Sequence, residues 1–148
     1  MTRSERAESL FKDGFTCSQS VLSVFAHDFG LEQAPARKLS AGFGGGMGRM
    51  GMTCGAATGA IMVIGLAHGA ASGQDKDAKL KTHGMVRRFV EEFQRRHGYL
   101  TCKELLDGKL SKPEDYESPQ GKELVGTVCP KLVADAVAIL EGMLRAGA

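Results

Sequence analysis

Four cysteines are the residues of this chain whose chemistry could define a function. Cys17, Cys54, Cys102 and Cys129 each follow a threonine by one or two residues, in the strings FTCSQS, MTCGAA, LTCKEL and GTVCPKL. Because threonine is a favoured N-cap residue, this context predicts that all four thiols lie in the first turn of a helix. Free backbone N–H groups and the helix dipole stabilise a thiolate there, which lowers the thiol pKa. We therefore take all four as candidate catalytic residues and metal ligands.

The spacing of the cysteines leaves several kinds of site open. Gaps of 37, 48 and 27 residues contain neither a CxxC pair nor a haem-attachment motif, so any site must be assembled by the fold. Four thiolates could hold an iron–sulfur cluster, as could three of them. Alternatively, the protein could be a metal-free oxidoreductase in which two of the thiols cycle through a disulfide. The attacking thiolate would then be Cys54 or Cys17. A zinc or soft-metal module, and a helical interaction domain with incidental cysteines, are the remaining alternatives.

A glycine-rich segment leads directly into Cys54. Residues 42–51 contain six glycines, and the string GGGMGRMG cannot form a regular helix. Its free N–H groups could face an anion or a cluster sulfide, although a flexible connection is the alternative. The candidate cofactor-binding residues are Gly45, Gly46, Gly48 and Gly55.

The elements that must position these residues are helices. Apolar residues recur at three-to-four spacing, and no segment alternates with period two, so the sequence predicts an all-α bundle of about five to six helices in one domain, 1–148. The expected helices start near Thr2, near Thr16, after Pro35, at Thr53, at Asp75 or Asp77, at Thr101 and at Thr127, and a polar connection is expected over 107–126. The long helix after Asp75 has an apolar stripe of Leu80, Val86, Phe89, Val90 and Phe93.

Glycine pairs on the central helix predict close helix contacts. Gly55 and Gly59 are four residues apart, as are Gly65 and Gly69, so each pair forms a flat strip against which another helix can pack. Such strips are also compatible with a homodimer.

Composition excludes several other classes. A net charge of +2 over 148 residues gives no drive towards nucleic acid, and the most apolar segment, 54–71, is interrupted by polar residues and glycines, so no membrane insertion is expected. The N-terminal residues lack the apolar core of a secretory signal, so a cytoplasmic protein with reduced thiols is expected. None of the four scattered histidines, His27, His68, His83 and His97, is expected to be a ligand.

Four segments together resemble the redox-active proteins named for their cysteine pattern, C_GCAxxG_C_C. They are FTCSQSVLSVF, AGFGGGMGRMGMTCGAATGAIMVIGLAHG, FQRRHGYLTCKELLDGKL and GTVCPKLVADAVAIL. The central string here is CGAxxG, which differs in order from the family name. The resemblance implies that Cys17, Cys54, Cys102 and Cys129 are the family's four cysteines, with a redox role and with genes that often lie near transporter genes. A zinc or soft-metal module could accordingly serve a transporter as partner. The redox partner of the chain is not identified by the sequence. Relatives include multi-haem cytochromes, but no haem carries over to this chain.

Overall fold

Helices form almost all of the regular structure. A computed structural model describes residues 1–146, within which seven α-helices occur: α1 (Arg3–Lys12), α2 (Cys17–Ala26), α3 (Gln33–Ser40), α4 (Gly55–His68), α5 (Lys76–His97), α6 (Cys102–Leu105) and α7 (Pro119–Arg145). Short 3-10 helices cover His27–Phe29, Ala41–Phe43 and Pro113–Glu117. The all-α class is confirmed. No helix in residues 1–146 has both the length and the apolar composition that crossing a membrane requires.

Side-chain caps begin α1, α2, α5 and α6 where the sequence indicated, whereas α4 begins after Cys54 rather than at Thr53 and has no side-chain cap. Thr2 and Glu5 form a capping box at α1, and Thr16 and Gln19 form another at α2. Each box satisfies two N–H groups that the first turn would otherwise leave unpaired. At α5, the carboxylate of Asp75 accepts a hydrogen bond from the Ala78 N–H at 3.0 Å.

Two helices begin earlier than expected. Helix α7 starts at Pro119 rather than Thr127, because Ser118 caps it by accepting a hydrogen bond from the Gly121 N–H at 3.0 Å. Proline suits the first helical position that follows such a cap. The expected polar connection is therefore partly helical, and Pro130 lies inside α7. Similarly, α3 starts at Gln33, before Pro35.

Helix α2 lies at the centre of the bundle and packs against α1, α3, α4 and α7. The first glycine pair of α4 makes the closest contact with it. A Cβ atom at Gly55 would lie 3.1 Å from Cys17 Cβ, and one at Gly59 would lie 2.9 Å from the Ser18 carbonyl oxygen. The second pair does not pack in this way: a Cβ atom at Gly65 would have no neighbour from another element within 4 Å, and Gly69 ends α4 as its C-cap.

The apolar stripe of α5 supplies the other side of the core. Phe89 and Phe93 are fully buried and stack with ring centroids 5.8 Å apart. Leu80 was expected on this stripe but is 70% exposed. It lies in the first turns of α5, beyond the part of the helix that packs on the core.

Candidate functional site

All four cysteines line one cavity. Its volume is about 840 Å³, and its wall includes Cys17, Cys54, Cys102 and Cys129 together with the glycine-rich segment. Each cysteine is between 3% and 8% exposed, and all four are free thiols. The helical bundle thus brings to a common site four cysteines of which the first and the last are 112 residues apart in the sequence.

Cys17 is the first residue of α2, directly after the Thr16 cap. The start of α4 approaches Cys17 closely because Gly55 has no side chain. A Cβ atom at Gly55 would press on Cys17 Cβ and push Cys17 away from the neighbouring Cys54. Cys129, on α7, lines the same cavity as Cys17. Helices α2, α4 and α7 therefore meet at the cavity.

A short backbone bridge positions the other two cysteines. Thr53 and Thr101 pair in antiparallel fashion, the Cys54 N–H donates to the Leu100 carbonyl at 2.9 Å, and the Cys102 N–H donates to the Met52 carbonyl at 2.6 Å. Side chains alternate across such a pair, so Cys54 and Cys102 share the face opposite to the two threonines. The bridge thereby fixes the starts of α4 and α6 next to each other.

The prediction that all four cysteines begin helices is wrong for Cys129. Cys17 and Cys102 are the first residues of α2 and α6, and Cys54 is the N-cap residue of α4. Cys129 instead lies ten residues inside α7, about 15 Å from its start, where the dipole of the helix terminus has little effect. The next residue, Pro130, has no N–H for the carbonyl of Gly126, which also lines the cavity.

The glycine-rich segment forms a left-handed turn against the cavity. Five consecutive residues from Gly45 to Arg49 have φ between 61° and 71°. Two of them, Met47 and Arg49, carry side chains, and such a conformation costs an L-residue about 1–2 kcal/mol. Strain of this kind persists only where the surrounding structure enforces it, and it is concentrated at functional sites.

The candidate glycines have two different placements. Gly45, Gly48 and Gly55 line the cavity. Gly46 lies behind the wall, where a Cβ atom would approach Cys102 Cβ to 2.7 Å. Within residues 1–146, the N–H groups of Gly45 and Gly46 donate to no acceptor.

The pKa values of Cys17, Cys54 and Cys102 are raised, contrary to the expectation from the helix termini. Proximity of the Cys129 thiol raises the pKa of Cys17 well above its usual value, and burial adds to this effect. Burial raises the pKa of Cys54 to about 12, against the opposing N–H groups of Ala56 and Ala57, neither of which closes a full hydrogen bond to its sulfur. Burial also raises the pKa of Cys102.

Tyr116 contacts the site although the sequence did not indicate it. Its hydroxyl donates to the Gly45 carbonyl at 3.1 Å, and its oxygen lies 3.1 Å from Cys102 Sγ. Since a phenol has one proton, the Cys102 thiol donates in this arrangement, and the hydroxyl would have to turn to donate to a thiolate. That second arrangement lowers the pKa of Cys102 and so opposes burial.

Charged side chains surround the mouth of the cavity. Arg49 forms an ion pair with Glu117 and lies 5.9 Å from the centre of the Tyr116 ring, and Lys122 lies 3.7 Å from the same carboxylate. Lys12 also lines the cavity and pairs with Glu8 on its own helix at 3.5 Å. The lining residues therefore comprise three cations and one carboxylate.

Within residues 1–146, no three Cys, His, Asp or Glu side chains are grouped closely enough to hold a single metal ion. None of the four histidines lines the cavity. His97 instead lies 3.1 Å from Asp135 and packs on Phe93, where burial lowers its pKa. Any metal centre here would therefore have sulfur ligands that line the wall of a cavity.

Comparison with known sequences agrees with this arrangement. The sequence model of the C_GCAxxG_C_C family, described as "Putative redox-active protein (C_GCAxxG_C_C)", matches residues 15–143. This chain belongs to that family. No curated protein matches the chain. No solved structure matches it either.

The structure explains the central motif of this C_GCAxxG_C_C member. Cys54 lines the cavity, and the two glycines of the string CGAxxG are the positions at which α4 touches α2. The intervening Ala56 and Ala57 are fully buried. The motif thus supplies one sulfur and the close helix contact that holds a second sulfur, that of Cys17, beside it.

Proposed function

We propose that this protein carries a thiolate-ligated iron–sulfur centre and acts in electron transfer. The observation that supports this proposal is the convergence of all four cysteines on one cavity of about 840 Å³. Thiolates are the usual ligands of iron–sulfur clusters, and such a cluster supplies one-electron redox chemistry when bound.

The donor set and the cavity suit such a centre. Cys17, Cys54, Cys102 and Cys129 would be the ligands, and soft sulfur ligands favour iron–sulfur clusters, zinc or Cu(I) over hard cations. A sphere with the radius of a metal–sulfur bond, about 2.3 Å, encloses only about 50 Å³. The cavity is far larger, so it has room for a cluster of several metals as well as for one zinc ion.

Protein groups around the sulfurs would tune the centre. The unpaired N–H groups of Gly45 and Gly46 lie next to the cysteines, and the Tyr116 hydroxyl reaches Cys102. Hydrogen bonds to the sulfurs and burial are two of the factors that set a cluster's reduction potential.

The experiment is an anaerobic purification followed by a visible absorption spectrum, with iron, zinc and acid-labile sulfide determined on the same sample. Charge-transfer bands with equal amounts of iron and sulfide are the expected result. One zinc per chain would favour the soft-metal module instead. A colourless, metal-free protein that remains so after anaerobic reconstitution with iron and sulfide would contradict the proposal.

A dithiol–disulfide pair is the second candidate, because Cys17 and Cys129 line the same cavity and the proximity of Cys129 raises the pKa of Cys17. These two thiols would lose two electrons and two protons to a two-electron oxidant and form one disulfide. Their burial and the raised pKa of Cys17 make them slow nucleophiles, so this candidate ranks second. Peptide mapping after mild oxidation of metal-free protein tests it: a Cys17–Cys129 crosslink supports the pair, and four remaining thiols contradict it.

A further inference from the structure

The cavity is larger than its cysteines require, and its outer part has a different character. The cysteines are almost completely buried, whereas the side chains of Arg49, Lys122 and Lys12 at the mouth are 47%, 66% and 65% exposed. The cations therefore lie between the sulfurs and bulk solvent. Pockets of roughly 300–1,000 Å³ hold small organic ligands, and this cavity falls in that range.

Apolar side chains form the walls between the sulfurs and the mouth. Phe11 and Phe15 line the side next to α1, and Leu105 and Val125 are also part of the lining. All four are only partly buried, so they retain apolar surface that faces the cavity. Such walls suit the apolar body of an organic molecule rather than an inorganic ion.

The charged residues of the cavity favour a ligand of negative charge. Glu117 is the sole carboxylate among the lining residues and already contacts both Arg49 and Lys122. Lys12, the last residue of α1, is the third cation among the lining residues. A cleft with an excess of one charge concentrates ions of the opposite charge.

We propose that the outer part of the cavity binds a small organic anion, with its apolar body against the phenylalanines and its carboxylate or phosphate group among Lys12, Arg49 and Lys122. The binding site itself does not depend on a metal centre. Its role as the substrate site of a redox centre rests on the function proposed above.

Alkylation of metal-free protein by two reagents of equal chemistry and different charge tests this site. Iodoacetate is an anion and iodoacetamide is neutral, and both alkylate thiols. The ratio of their rates is measured at each cysteine by mass spectrometry at about pH 9, close to the ordinary thiol pKa. The same cysteines in urea-unfolded protein give the reference ratio.

We expect the folded protein to favour iodoacetate about two- to fivefold more than the unfolded reference does, with the preference lost at about 1 M salt. The double variant Lys12→Gln/Lys122→Gln should return the ratio to the reference. The double variant Lys38→Gln/Lys76→Gln, which removes two exposed charges that do not line the cavity, is the matched control and should behave as the wild type.

Binding of a reporter gives the second measurement. The anionic dye 1-anilinonaphthalene-8-sulfonate should bind once per chain, slow the alkylation of the cavity cysteines, and bind more tightly than the neutral N-phenyl-1-naphthylamine. Equal binding of both dyes, or a rate ratio that matches the reference, overturns the anion site. Neither result affects the metal analysis, so the two proposals fail separately.

Discussion

The two glycines of α4 at positions 59 and 65 should respond in opposite ways to the same substitution. Both lie inside the helix, and alanine is favoured over glycine there by about 1 kcal/mol. At Gly65 nothing lies within 4 Å of the added Cβ, so Gly65→Ala should stabilise the protein by up to about 1 kcal/mol. At Gly59 the added Cβ would lie 2.9 Å from the Ser18 carbonyl oxygen and 3.1 Å from Val21 Cβ.

The neighbour at Gly59 is helix backbone, which cannot rotate away as a side chain can. Helix α2 must therefore move, at an overpacking cost of about 2–3 kcal/mol. Subtraction of the gain in helix propensity leaves a net destabilisation of about 1–2 kcal/mol for Gly59→Ala. For a chain of this length, the melting temperature should fall by about 2–8 °C, whereas Gly65→Ala should raise it by about 2–4 °C.

Urea unfolding of the two metal-free variants, followed by circular dichroism, gives both free energies of unfolding directly. Movement of α2 also shifts Cys17 relative to Cys54, so Gly59→Ala should lower metal content while Gly65→Ala leaves it unchanged. The reasoning is refuted if Gly59→Ala is as stable as the wild type, or if both variants change in the same direction.

Three further expectations concern the cysteines. Tyr116→Phe should slow alkylation of Cys102 about tenfold, because the Cys102 thiolate loses a hydrogen-bond donor. The control Tyr99→Phe, at an exposed tyrosine, should have no effect. Faster alkylation in Tyr116→Phe would mean that Tyr116 only shields Cys102 from the reagent. Among single serine variants, Cys54→Ser should lose the most metal, since Cys54 joins the glycine-rich segment to α4; a larger loss for Cys129→Ser would reverse this ranking. Burial raises the pKa of Cys54 from 9.0 to about 12, so the folded state holds its proton more tightly than the unfolded state. This contribution to the free energy of unfolding is complete below pH 9 and is lost as the pH rises towards 12. Urea unfolding should therefore show that the free energy of unfolding declines less steeply with pH in Cys54→Ser than in the wild type. Parallel declines in the two proteins would contradict this expectation.

Local signals predicted the starts of most helices. Thr16 with Gln19, for example, needs only neighbouring residues to form its capping box, so the sequence is sufficient. Thr127 has the same local appearance, yet it lies inside α7, because Ser118 and Pro119 already begin the helix. In α7 the upstream cap at Ser118 determines where the helix begins, so Cys129 lies inside the helix rather than in its first turn.

Contacts between distant segments were beyond the reach of such signals. Tyr116 belongs to a segment without apolar periodicity, and its partners, Gly45 and Cys102, are 71 and 14 residues away. The bridge between Thr53 and Thr101 likewise depends on the packing of α4 against α5, which brings the two strings together. Only the fold determines which of the four cysteines become neighbours.

The same distinction explains why the expected low thiol pKa values were wrong. A helix N-terminus carries only a fraction of a unit positive charge with which to stabilise a thiolate. This effect lowers the pKa of Cys54, but burial raises it by more. Repulsion between neighbouring thiolates raises the pKa values of Cys17 and Cys54 further. In the metal-free cavity, Cys17, Cys54 and Cys102 therefore hold their protons more tightly than ordinary thiols do. The proposed metal centre would supply the missing positive charge and release a proton from each sulfur that it takes as a ligand, so its affinity should rise with pH by about tenfold per unit for each such proton.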